Sequence, residues 1–169
     1  MQRRTLLRLG VGSAVVLAVA GGAVALLQPG LQQGAMTARS RLMLSRLAEA
    51  LIANAWPDAS RLPRTAAMGA LLTRIDAQIA GTPDGVQAEL SQLLTIMDTA
   101  AGRRALVGIQ NTWDAVGTAE LAEALQAMRL SRVSLRQQAY QGLHDLVYAA
   151  YFSGKESWPV LGYPGPIDL

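Results

Sequence analysis

The 169-residue sequence has no cysteine, and that absence removes disulfides, covalent haem attachment, thiolate metal sites and a catalytic thiol together. Its one histidine, His144, leaves a histidine-based metal site without a second imidazole and any catalytic triad with a single candidate base. Aromatics make up only 5% against 51% hydrophobic residues, so the core is built mainly from Leu, Ala, Ile, Val and Met, side chains that pack along helices. Strand signals are lacking too: no segment alternates with a two-residue period, and no Asn-Gly or Asp-Gly turn sits between β-branched runs. The formal net charge of +3 is supplied wholly by Arg3, Arg4 and Arg8. The remaining twelve basic residues match twelve acidic ones, and no Lys/Arg stripe interleaved with aromatics tracks a phosphate backbone, which sets nucleic acid aside as a partner.

What is present begins with an address. Paired arginines and Arg8 precede an uncharged run from Leu9 to Leu27 that contains Gly10, Gly12, Gly21 and Gly22. That is the three-part layout of an export signal, and interior glycines at ~1 kcal/mol each make it a poor soluble helix. Arg3-Arg4-Thr5-Leu6-Leu7 resembles a twin-arginine signal, with Leu6 and Leu7 at the apolar positions, which implies export of already folded cargo by the twin-arginine translocase. Small-x-small sites stand at Ala18-Val19-Ala20 and Ala23-Val24-Ala25. The alternatives are a general secretory signal or a retained anchor, since ~20 apolar residues span a bilayer core. Each of these readings puts the following domain outside the bacterial cytoplasm, in the periplasm.

The body reads as all-α, a single small bundle of five or six helices. Leu44, Leu47, Leu51 and Ala55 share one helical face that stops at Trp56-Pro57, and Met68, Leu71, Leu72, Ile75 and Ile79 share another after Pro63. Thr82-Pro83-Asp84 reads as N-cap, N1 and N2 of a third helix. Further helices are expected over 106–113, 119–128 and 133–152. The chain divides into 1–27 (signal or anchor), 28–36 (linker), 37–152 (helical domain) and 153–169 (an extended aromatic and proline-rich tail).

Little in the body carries chemistry. Asp145 neighbours His144, but adjacent helical residues point ~100° apart and are not expected to form an oriented pair. His144 is expected instead on a face with Tyr140, Tyr148 and Tyr151, an aromatic stripe at the edge of the core. Glu120 and Glu123 lack the following histidine of a bundle metal site. Arg103-Arg104 at a helix start opposes the helix dipole. The residues alone thus leave a membrane-anchored helical binding protein, or less directly an enzyme using His144, as open readings.

The tail is the most specific segment. "AAYFSGKESWPVLGYPGPI" resembles the end of the gluconate 2-dehydrogenase subunit 3 family, small subunits of membrane-associated flavin-dependent dehydrogenases of the glucose-methanol-choline type. The matching residues are Tyr151, Trp158, Leu161, Gly162, Tyr163, Pro164, Gly165 and Pro166. A weaker similarity runs through "LSRLAEALIANAWPDASRLPRTAAMGALLTRID", although "LPRTAA" replaces a common Pro-Gly-Ala turn. The resemblance implies a non-catalytic subunit with no cofactor of its own. It accompanies a large FAD-containing subunit, often with a multihaem cytochrome c, and the flavoprotein crosses the membrane on the small subunit's signal. It also makes the tail residues candidates for partner binding: Pro159, Pro164 and Pro166 fix φ and lower the entropy lost on docking, and Trp and Tyr are frequent hot-spot residues.

Overall fold

The computed structural model describes residues 28–60 and 62–164; Arg3, Arg4, Leu6, Leu7, Gly165 and Pro166 lie outside them. The described residues are all-α apart from one small hairpin. Helices α1 (Ala38–Ile52), α2 (Arg64–Ala80), α3 (Asp84–Asp98), α4 (Ala100–Gly102), α5 (Thr118–Arg129) and α6 (Ser134–Phe152) form a bundle. Helix α1 touches α2, α3, α5 and α6 and is the central element, with Met43, Leu44, Leu47 and Ala48 fully enclosed. Helix α6 lies along α2 and α5. The expected stripe of α2 is confirmed: Leu71, Leu72, Ile75 and Ile79 are buried and Met68 packs at their edge. Among the described residues no helix is long and apolar enough to cross a membrane.

Residues 28–36, expected as a linker, instead form a hairpin docked on the bundle. Strands β1 (Leu31–Gln32) and β2 (Ala35–Met36) pair antiparallel, Leu31 opposite Met36, around Gln33 and Gly34, both at positive φ. Two such residues make the kind of turn that suits a tight hairpin, and Gln-Gly supplies it where Asn-Gly is more usual. Leu31 and Met36 point into the core while Gln32 and Ala35 face water. Polar side chains fix the hairpin: Gly30 N donates to Thr95 Oγ1 at 2.8 Å, Leu31 N to Ser91 Oγ at 3.1 Å and Met36 N to Asp76 Oδ1 at 2.8 Å.

Two local expectations change. Thr82 does not cap α3; its hydroxyl donates back to Ile79 O at 2.7 Å, and Pro83 takes the N-cap position, as Pro63 does before α2. The helix expected over 106–113 starts earlier and is wound differently: α4 opens on Thr99, whose Oγ1 accepts from Gly102 N, and widens into a π turn over Arg103–Val107 that ends at Gly108, φ 93°. Beyond it Trp113 is buried by packing and by donating to Met97 O at 3.0 Å, so burial, not helix, explains its apolar neighbours.

Gly102 is the tightest position in this corner. A Cβ there would lie 2.0 Å from the Ile96 carbonyl oxygen, well inside contact distance. Gly102→Ala is therefore expected to lower unfolding free energy by about 2–3 kcal/mol, read as a shifted urea midpoint at unchanged slope.

Candidate partner-docking site

The tail starts where α6 runs out of helical partners, because the last carbonyls of a helix need donors from elsewhere. Arg74 of α2 supplies one, its Nε donating to Ala150 O at 2.7 Å. A second edge of the same guanidinium meets Glu156 at 2.6 Å as an ion pair whose oxygen is not in line for a hydrogen bond. Two residues upstream of that pair Gly154 is buried, and Ser157 is fully enclosed, its hydroxyl donating to Gly154 O at 2.7 Å. Tyr151 adds the third tie: its ring is 2% exposed, meets Trp56 edge-on at 5.9 Å, and its hydroxyl donates to Ala55 O. Burial, and then the negative charge of Glu156, push the Tyr151 phenol above its ordinary pKa.

Past Ser157 the segment turns outward. It is less extended than its prolines suggest: Lys155–Ser157 is a 3₁₀ turn, and further turns follow, with Leu161 N and Tyr163 N both donating to Trp158 O at 3.0 Å. Gly162 sits at φ 67°, the left-handed conformation that closes this loop and that glycine accepts without strain. The result sets Trp158 and Tyr163 edge to face at 5.2 Å, with Trp158 partly covered, Tyr163 47% exposed and Leu161 57% exposed. Pro164 is exposed as well. Beside them an apolar groove of about 390 Å³ runs between Pro57, Leu62, Pro159 and Val160, edged by Asp58 and Glu156.

Of the expected site residues, Tyr151 is thus an internal anchor, whereas Trp158, Leu161, Gly162, Tyr163 and Pro164 gather into one exposed loop. The tie between Arg74 and Glu156 was not foreseen. The two stand 82 positions apart, and α2 carries Arg64 and Asp76 besides Arg74, so the sequence does not single this arginine out.

His144 lies away from this site. Tyr148 stacks on it at 4.2 Å and Tyr140 lies 5.5 Å off, as expected, but Phe152 continues the stripe in place of the buried Tyr151. Contrary to the helical-angle argument, His144 Nδ1 lies 3.0 Å from Asp145 Oδ1 at the exposed surface. The Asp145 carboxyl is held below its usual pKa, first by the Gln141 amide and then by His144. Among the described residues no group of three or more His, Cys, Asp or Glu side chains is placed to hold a metal ion. Arg103 is buried at another depression, of about 350 Å³, where its Nη1 donates to Asp98 O at 2.9 Å and its Nε has no partner. Thr112 at that rim, by its hydroxyl, holds Asp114 below its ordinary pKa.

Comparison of the chain with family models, with curated proteins and with solved structures finds no match.

Two outcomes are expected. Arg74→Ala costs about 2 kcal/mol and raises amide exchange across 157–163 at least about tenfold while α1 stays protected. Because the phenol of Tyr151 is raised in the folded state, its contribution is intact below the unfolded tyrosine pKa and is lost as pH climbs through the folded value. Tyr151→Phe should therefore weaken the decline of thermal stability above about pH 10, and an unchanged alkaline decline would contradict the assignment.

Proposed function

We propose that this chain is a non-catalytic small subunit of a periplasmic FAD-dependent dehydrogenase acting on a sugar, sugar acid or alcohol. In this reading it escorts the flavoprotein through the twin-arginine translocase and stabilises it afterwards. The observation that carries the proposal is the tail: the run from Trp158 to Pro164, the part of the sequence with the strongest family resemblance, displays an aromatic pair and Leu161 on a loop held from within. An aromatic patch on a pre-shaped loop binds at a smaller entropic cost than a flexible one.

The division of labour is the one the family resemblance implies. It needs no cofactor of its own; FAD belongs to the large subunit, and haem c, where a multihaem cytochrome subunit joins, to that partner. The role of Arg3, Arg4, Leu6 and Leu7 is to bring folded cargo out, which suits a flavoprotein that folds around FAD before export. Membrane attachment of the mature chain through residues 9–27 is part of the same proposal.

Co-expression with the flavoprotein tests it. Arg3→Lys with Arg4→Lys is expected to abolish periplasmic dehydrogenase activity while leaving cytoplasmic activity intact; periplasmic activity that persists would sink the escort role. Separately, Trp158→Ala with Tyr163→Ala is expected to weaken capture of the flavoprotein by about 2 kcal/mol or more, roughly thirty-fold in Kd, without changing the thermal midpoint by more than about two degrees. His144→Ala should leave the activity of the complex unchanged.

A further inference from the structure

A second cluster of exposed apolar side chains lies away from the tail, where α5 turns into α6. Leu130 is 67% exposed, Val133 56% and Leu135 57%. Fraying does not explain them, since the turn is fixed by its own backbone: Leu130 N donates to Gln126 O at 3.1 Å, Ser131 N to Met128 O at 3.2 Å and Val133 N to Ser131 Oγ at 3.1 Å. A side chain from the next turn braces it from below. Arg136 Nε donates to Leu106 O at 2.8 Å and its Nη2 to Val107 O at 3.3 Å, tying the start of α6 to the π turn.

The charge around this tip is of one sign. Between Glu123 and His144 every acidic or basic side chain is an arginine, namely Arg129, Arg132 and Arg136, and the exposed Arg104 lies on the π turn that Arg136 braces. Three apolar side chains on a rigid turn, fringed by arginines that form no ion pair among the described residues, match the two requirements of an interfacial contact: apolar groups that enter the boundary of the acyl chains and cations that meet acidic headgroups. None of the three lines the groove beside the tail or the depression at Arg103, as a side chain shaped to receive a protein knob would.

We propose that the α5–α6 turn docks on an anionic phospholipid surface, with Leu130, Val133 and Leu135 in the interface and Arg129 and Arg132 at the headgroups. This contact is independent of the escort role and of any anchoring by the amino terminus. It fixes which end of the bundle faces the bilayer.

The absence of cysteine makes a single introduced thiol a unique label, so the full chain can be read at one place even if another segment binds lipid. The exposed Ser134 is changed to cysteine and labelled with an environment-sensitive fluorophore, with the exposed Ala88 on α3 as the control position. The protein is mixed with phosphatidylcholine vesicles with or without roughly one third phosphatidylglycerol. The label at 134 is expected to shift to the blue and to be quenched by nitroxide lipids on the anionic vesicles only, and that at 88 to stay unchanged. Arg129→Gln with Arg132→Gln should lower the docked-to-undocked ratio roughly 25-fold, about five-fold per arginine, and added salt should do likewise. Leu130→Ser with Val133→Ser should remove the quenching. A label at 134 that stays in water on anionic vesicles, responds equally to neutral ones, or is covered only when a partner protein is added would overturn the proposal.

Discussion

The last turn of α6 leaves carbonyl groups that no later helical residue can reach, and the guanidinium of Arg74 answers one of them while holding Glu156 at 2.6 Å. That one side chain joins α2, the end of α6 and the 3₁₀ turn, and so decides where the chain goes next. An arginine suits the position because one edge of its guanidinium donates to a carbonyl while its fixed charge pairs with a carboxylate beside it. The Tyr151 hydroxyl ties α6 to the 3₁₀ turn that follows α1 by donating to Ala55 O. Past both ties, Pro159 to Pro164 are exposed.

This constraint separates the tail into two halves with different work. Tyr151 and Ser157 are spent on the protein's own interior, and Trp158 straddles the boundary. Leu161 and Tyr163 remain outside on a loop shaped by Gly162 and by the paired donors at the Trp158 carbonyl. An inward-packed stretch and an exposed loop follow one another in the same segment. The proposed flavoprotein contact therefore falls on residues that the bundle does not need for its own stability.

Much of the bundle was legible because it rests on period: the stripes of α1, α2 and α6 repeat every three or four residues, and burial follows them. What escaped was whatever depends on distant partners or unusual turns. The hairpin at 31–36 buries only one residue per strand, too short for a period, and its docking relies on Ser91, Thr95 and Asp76 far along the chain. The π turn at Arg103 is set by the close approach of Gly102 to Ile96, invisible without the fold. At the candidate site the aromatic and proline pattern marked the segment, but it could not tell Tyr151 from Tyr163. Only the positions of Arg74 and Trp56 distinguish the inward ring from the outward one.

Hydrogen exchange on the full chain, alone and with the co-expressed flavoprotein, tests the central claim most directly. Binding is expected to slow exchange at the amides of Trp158, Val160, Leu161, Gly162 and Tyr163, while Ala150 and Tyr151, already held by the bundle, change little. Unaltered exchange across 158–163 in a complex that forms nonetheless would contradict the claim that this loop is the docking surface.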